Sequence, residues 1–402
     1  MSIRCVDGAR HLGAKILVSG GSRCNVTNRF VSERDFWGGS SRVVRNVLRA
    51  FPATRTVEFF TGIGVSLHEE EDGKLFPDTG RARSVLDALL AEAARLQVVI
   101  QSGHRVTSLS RGHDRFRVGL AGAEIDARAV VLATGGQSLP KTGSDGFGYQ
   151  LARTLGHHIV QPTPALAPLL LDDDWHAELS GVAHRAAAAL QTNGDDQDGR
   201  THRAHTLRLQ GDWLWTHFGA SGPLALNLSR HWHRATLDGG ATVSVSVLPD
   251  ETFESIETWL LEQERERPRA QIATVLSTRL PASVAKVWAE RAAIDSETTL
   301  AHVTREERRR LAHALTALRL RVKGSRGYQY AEATAGGVSL DEIDPATLES
   351  RRCPSLYLVG EILDVDGRLG GFNFQWAWSS GFVAGQAIAK RLGELRGVHT
   401  EV

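Results

Sequence analysis

The sequence is poor in sulfur. One methionine and three cysteines serve 402 residues, and Cys5, Cys24 and Cys353 are too widely spaced, and odd in number, for a disulfide framework or a four-ligand zinc site. Lysine is scarce, six of the 47 basic residues, a bias that carries no functional reading. No run of about 18 apolar residues occurs, and the N-terminus lacks a basic segment followed by an apolar stretch. A cytoplasmic location without a membrane partner is therefore the default expectation. His-Glu-x-x-His and tight Cys/His clusters are absent, so the 16 histidines suggest no metal. Neighbours such as His157 and His158, or His231 and His233, read most simply as exposed surface. An excess of one charge is lacking too: 47 basic against 46 acidic residues gives no reason to expect nucleic acid or an anionic membrane as partner.

What is present is a chain with 42% hydrophobic residues, enough for a sizeable core and two or three domains. Its first part alternates strand-like and helix-like segments, as an α/β sheet does. Residues 2–6 predict a short strand ending at Asp7. Arg81 to Arg95 carries Val85, Leu86, Leu89, Leu90, Ala93 and Ala94 at helical spacing, and "VVI" at 98–100 predicts a strand. "HRVTSLS" and "RFRVGL" alternate like half-buried strands, and "ARAVVLATGG" reads as a buried strand running into Gly135 and Gly136.

From about residue 166 the texture changes. "HRAAAALQT" and "RAHTLRLQ" flank the polar turn "NGDDQDGR" and predict a β-hairpin with a loose loop. "ATVSVSVLP" adds a strand, and residues 252–320 turn helical and strongly charged, with a capping box at Thr304 to Glu307. The runs "EQERER" and "REERRR" are most simply solvated helix faces. After about residue 331 the α/β texture returns with the strand "SLYLVGE" and the glycine-led helix "GGFNFQWAWSSGFVAGQAIAKRL". The expected architecture is an α/β domain formed by 1–165 and 335–402, interrupted by an insert at 166–334 that is β-stranded over 166–250 and helical over 251–320.

Four glycine turns follow strand-like runs: Ser19-Gly20-Gly21 after "ILV", Thr134-Gly135-Gly136, Gly360-Glu361, and Gly370-Gly371 opening the last helix. Glycine lets backbone N–H groups approach a ligand closely, and a helix N-terminus adds partial positive charge. In an open parallel sheet such turns gather at the carboxyl ends of the strands, where ligands bind. Each turn alone also has a purely structural explanation.

Together, "SGGSRCNVTN", "ATGGQSLPKTGSDGFGYQLARTLGH", "THFGASGP", "ATAGGVSLDEIDPATLESR" and "LYLVGEILDVDGRLGGFNFQWAWSSGFVAGQAIA" closely resemble the HI0933-like, BaiN-type flavoproteins, also known as aminoacetone-oxidase-like FAD-binding enzymes. The resemblance covers nearly the whole chain in the right order. It implies a Rossmann-like FAD-binding domain of the two-dinucleotide-binding-domain type with an insertion, and an FAD-dependent oxidoreductase that exchanges a hydride between a small organic substrate and flavin N5. A nicotinamide nucleotide, NAD(P)H, is open as a transient reductant, although no second complete dinucleotide fingerprint supports a stable site for it.

The residues implied to bind the cofactor are Asp7, Lys15, Ser19, Gly20, Gly21, Arg23, Cys24, Asn25, Thr27, Val106, Ala133, Thr134, Gly135, Gly136, Gly360, Glu361, Asp364, Gly370, Gly371, Phe372, Asn373 and Gln375. The final helix would point its N-terminus at the pyrimidine side of the flavin, where reduced flavin is negatively charged. Glu361 and Asp364 would meet the ribityl and phosphate portion. Gly381 and Gly385 are expected to let this helix lie close to the sheet. Ser22 replaces the family's usual third glycine, which narrows the allowed backbone.

On the catalytic side the resemblance implies Cys24, Asn373 and, in the insert, His217 as a substrate-facing group or proton donor. A spectator thiol is the simpler reading of Cys24, which lacks a nearby partner cysteine, and a hydrogen-bonded structural histidine in a turn is the alternative for His217.

The sequence departs from the pattern at its start. Proteins of this type begin with a strand, Gly-x-Gly-x-x-Gly and a helix that grip the FAD pyrophosphate; here "SIRCVD" matches the second strand, with Asp7 at the ribose-binding acid. A unit of roughly thirty residues is expected upstream, with a late-assigned start preferred over a truncated gene. Without it, an exposed strand flank and reduced solubility are expected, and the alternative function is a flavoprotein remnant acting only as a binding or structural protein. A third reading, a flavoprotein that modifies tRNA, is disfavoured by the balanced charge.

Overall fold

Strand Arg4–Asp7 runs parallel to Val99–Ser102, with Asp7 opposite Ser102. The helix leading into the second strand, Ala82–Arg95, buries Ala82, Val85 and Leu86, a spacing that puts all three on one stripe. In the computed structural model, which describes residues 2–192 and 205–398, these elements belong to one unit, Met1–Ala165 with Tyr328–Val402, and Leu166–Gly327 form another.

In the first unit a second parallel ladder pairs Val130–Leu132 with Leu356–Leu358. Val106–Arg111, Phe116–Leu120 and Ala123–Ala127 form an antiparallel meander. The last of these, "AEIDA", has almost no strand signature of its own and is recruited by its pairing with Phe116–Leu120. Ile159–Ala165 pairs antiparallel with Ala333–Val338; this ladder places residues 328–334 in the first unit, so the insert ends at Gly327. The core gathers Leu132, Tyr149, Leu356, Leu358, Phe372 and Trp376.

Four expectations need correction in this unit. The run Ile16-Leu17-Val18 is helical, within Ala14–Ser22, whose backbone leaves the helical region at Ser19, Gly20 and Gly21. Three apolar residues are too few for their period to choose between strand and helix, and packing decides: Ile16 and Leu17 lie half-buried against a cluster with Cys24, Val26, Phe60 and Val85. Val131, expected to be buried, is 43% exposed: it points to the face opposite buried Leu132, and that face is uncovered at this position. Gly381 and Gly385 do not bring the last helix close to a sheet: a Cβ on either would meet nothing within 4 Å, and the buried side of that turn is Val383 and Ala384. His157 is not surface. It is buried, with Nδ1 2.9 Å from Glu342 Oε2 and Nε2 2.8 Å from Ser350 Oγ, so the carboxylate fixes the proton on Nδ1 and Nε2 accepts from the hydroxyl.

The second unit is built on a seven-stranded sheet in the order Leu318–Leu320, Ala241–Ser246, Ala183–Thr192, Thr206–Thr216, Gly219–Ser221, Leu169–Leu171, Val322–Ser325. Ala183–Thr192 and Thr206–Thr216 are the antiparallel arms of the expected hairpin; its turn "NGDDQDGR" lies outside the described residues. Helix Gly222–Leu237 falls inside the stretch expected to be all strand. Pro223 sits in its first turn, and Leu224, Ala225, Leu228, Trp232 and Ala235 are buried at helical spacing, a pattern that packs one face against the sheet. Leu318–Leu320, at the end of the stretch expected to be helical, is a strand.

The capping box is present: Glu307 N–H donates to Thr304 Oγ1 at 3.2 Å and Thr304 N–H to Glu307 Oε2 at 2.9 Å. Four indoles cluster in the core, Trp175, Trp213, Trp215 and Trp288, with neighbouring centroids 5.4–5.7 Å apart. Among the described residues no helix is long and apolar enough to cross a membrane.

Candidate cofactor site

The opening glycine turn and the final helix meet within the first unit. Thr27 Oγ1 and Thr56 Oγ1 both donate to Gln375 Oε1, at 2.6 and 2.9 Å, while Gln375 Nε2 donates to Phe51 O at 3.0 Å. Asn28 Nδ2 donates to Gly370 O at 3.1 Å, and Trp378 Nε1 to Val26 O at 2.9 Å. Residues 26–28 are thereby stitched to Gly370 and the first turns of helix Phe372–Val398. Gly371 has φ 92, and a Cβ there would stand 2.5 Å from Thr27 O. Only glycine permits that approach.

This stitching sorts the implied site residues. Thr27 and Gln375 are fully buried and used inside the protein. Phe372 is a core ring packed edge-on to Phe36 at 6.1 Å. The Asn373 carboxamide is engaged on both sides, accepting from Gly367 N at 2.8 Å and donating to Gly367 O at 3.0 Å. That bidentate pairing fixes the carboxamide against the turn ahead of the helix, with one N–H and one oxygen lone pair left over.

What faces outward is the glycine turn. Gly20 and Gly21 adopt φ 53 and 67, and nothing lies within 4 Å of where a Gly21 Cβ would be. Ser19 Oγ donates to Ile16 O at 2.7 Å. Arg23 is exposed, pairs with Glu70 at 2.6 Å and lies over the Phe76 ring at 4.2 Å. Cys24 is fully buried, and burial pushes its thiol up to about 11, against the smaller opposing effect of a hydrogen bond with Ser19. The thiolate is the reactive form, and at neutral pH this environment keeps the thiol protonated. Asn25 is buried, and its Oδ1 has no hydrogen-bond partner within the protein; it lies 2.9 Å from the Cβ position of Gly371, at the positive end of the last helix.

A second constellation joins Lys15 to the other turns. Lys15 Nζ donates to Ser138 Oγ at 2.6 Å and is ion-paired with Glu361. Glu361 Oε1 accepts from Ser138 Oγ at 2.7 Å and from Thr334 N at 2.9 Å, and Thr334 Oγ1 accepts from Gln137 N and Ser138 N. Gly136 lies against Thr334, its Cβ position 2.4 Å from Thr334 Oγ1, and Thr134 packs against Gly148. Gly360 N–H donates to Ser380 Oγ at 2.9 Å, Asp364 is buried, and Ala133 follows strand Val130–Leu132. Ser138 and Thr334 are site residues that sequence reasoning missed; they carry no motif beyond adjacency to "TGG" and "AGG".

Asp7 O accepts from His104 N at 3.0 Å, two residues before Val106, which pairs with Leu120. Asp7 Oδ1 accepts from Ala9 N at 2.8 Å, and Gly8 packs on Arg105. His217 is in the second unit, exposed between strands Thr206–Thr216 and Gly219–Ser221, its ring against Phe218 at 5.0 Å. Its role as proton donor rests on the resemblance alone.

The residues present fit a dinucleotide carrying an aromatic, N–H-bearing ring. The unpartnered Asn25 carboxamide oxygen requires a donor, the start of a long helix favours developing negative charge, and Lys15, paired with Glu361 and Ser138, keeps one N–H for a ligand oxygen.

Comparison with known proteins agrees. A family model described as HI0933-like protein Rossmann domain matches residues 1–387. The chain is 32% identical over 383 residues to a ribosomal RNA dihydrouridine synthase of Escherichia coli, covering 95% of this chain and 91% of that one. It is also 32% identical over 387 residues to a 3-dehydro-bile acid delta(4,6)-reductase of Clostridium scindens, covering 96% and 92%. Among solved structures, a flavocytochrome c3 fumarate reductase in its open conformation matches with a TM-score of 0.42 at 15% identity, covering 96% of this chain and 73% of that one.

Proposed function

Because the chain belongs to the HI0933-like family of FAD-binding flavoproteins, we propose that it is an FAD-dependent oxidoreductase that saturates an electron-poor C=C bond in a small conjugated substrate. FAD, when bound, supplies the hydride exchange at its N5. The stitching of residues 26–28 to the last helix carries this reading, because it leaves the neighbouring Asn25 carboxamide, unpartnered among the described residues, at that helix's positive end. There Asn25 orients the ring, and the helix terminus favours the negative charge of its reduced form. Ser19 to Gly21 offer a backbone surface without side chains, and buried Cys24 keeps its proton.

The names of the two relatives support the substrate chemistry. A dihydrouridine differs from uridine by two hydrogens across one ring C=C bond, and a delta(4,6)-reductase acts on ring double bonds. Uridine within RNA is a second substrate class, favoured by the first of those names; the net charge of +1 favours a free small molecule.

The test is spectroscopic. Purified protein should be yellow and release FAD on denaturation; protein that neither holds nor takes up FAD refutes the reading and favours a binding or structural remnant. The loaded protein, reduced anaerobically by NADPH or NADH, should be reoxidised by a steroid enone or by a uridine-containing RNA, with a mass gain of two hydrogens in the substrate. Reoxidation by neither, with turnover of a saturated amine instead, would overturn the C=C assignment.

A further inference from the structure

Tyr149 takes no part in the chemistry above. It is 2% exposed, and its hydroxyl has no hydrogen-bond partner among the described residues. A phenol buried in a core ordinarily finds an acceptor.

The position of the ring is fixed from three sides. Tyr149 lies in helix Phe147–Thr154, whose capping residue Gly146 donates its N–H to Gly136 O at 3.1 Å. Gly148 presses so closely on Thr134 that a Cβ would be 1.9 Å from Thr134 Oγ1. The ring itself packs in the cluster with Leu132, Leu358 and Val359. Tyr149 is thus held behind the turn Ala133–Gly136.

The hydroxyl is close enough to Glu361 and Asp364 to feel both charges. Burial first, then Glu361, Tyr328 and Asp364, raise its pKa, so it is permanently a donor. Glu361 does not receive this hydrogen, since Lys15, Ser138 and Thr334 occupy its oxygens. A fixed donor therefore stands within reach of the Glu361 and Asp364 charges of the candidate cofactor site, and among the described residues nothing accepts from it.

We propose that the Tyr149 hydroxyl is a cofactor-binding donor, taking an oxygen acceptor on the ribityl–diphosphate chain of FAD beside Glu361 and Lys15. This rests on the FAD reading above.

Tyr149→Phe tests it, removing one oxygen and keeping the ring. Flavin-stripped wild type and variant are compared for melting temperature, and for affinity toward FAD, FMN and riboflavin by quenching of flavin fluorescence. The variant should melt no lower than wild type, since a partnerless donor is lost, while its FAD dissociation constant rises about threefold to tenfold. An equal rise for riboflavin places the acceptor on the ribityl chain; a rise confined to FMN and FAD places it on phosphate. An unchanged FAD affinity overturns the proposal, and so does a lowered melting temperature of the stripped protein, which would show that the hydroxyl serves the fold. Wild-type protein that binds none of the three flavins overturns the FAD reading instead.

Discussion

Thr27 Oγ1 donates to Gln375 Oε1 across 2.6 Å, joining residues 348 positions apart. Gln375 also accepts from Thr56 and donates to Phe51 O and Ser379 Oγ, so one buried carboxamide closes the junction between the glycine turn and the last helix. Gln375→Leu fills the same space but strands at least two buried hydroxyls, each at a cost of about 1–3 kcal/mol. The expected loss is about 3 kcal/mol, read as a lower urea midpoint with an unchanged slope, together with weakened FAD binding.

Ser22 is exposed and has φ 68. A left-handed backbone costs a residue with a Cβ about 1–2 kcal/mol that glycine escapes. Offset by the greater freedom of glycine when unfolded, Ser22→Gly should stabilise the protein by about 0.5–1 kcal/mol, measured by thermal or urea unfolding.

Asn373 clasps the Gly367 peptide on both sides. Asn373→Ala should lower stability by about 1–3 kcal/mol and reduce turnover through a misplaced turn. Stability and turnover should fall together; turnover lost at unchanged stability would return Asn373 to the catalytic groups.

Acid should weaken the second unit. Burial lowers His231 to about 3, with Arg230 and His205 adding to the effect, and burial lowers His233 to about 4. Both are neutral in the folded state at pH values where the unfolded chain, near 6.5, already takes up protons. Stability is therefore full above about pH 6.5 and falls as pH drops toward the folded values. Calorimetry at pH 5 should show about two fewer protons taken up on unfolding of a His231→Gln, His233→Gln double variant than of wild type; equal uptake by the two would refute the assignment.

Much of the architecture was legible because it rests on local rules. The stripe of Ala82–Arg95, the capping box at Thr304 and the glycine-led start of Phe372–Val398 each need only a few neighbouring residues. Where tertiary packing chose, the sequence was ambiguous. "ILV" at 16–18 is too short to show a period, and Gly222–Leu237 interrupts a stretch whose neighbours are all strands. The site divides the same way. Its turns were readable as motifs, but Lys15, Ser138 and Glu361 meet across 123 and 346 positions, and the engagement of Asn373 with Gly367 is a property of the folded turn alone.

The four indoles of the second unit have an optical consequence. Rings whose centroids lie 5.4–5.7 Å apart at interplanar angles of 57–83° couple their electronic transitions, so the insert should carry a strong exciton couplet in circular dichroism. That band belongs to Trp175, Trp213, Trp215 and Trp288 and lies outside the visible bands of a flavin. It gives the insert a spectroscopic signature by which its folding can be followed in the intact chain.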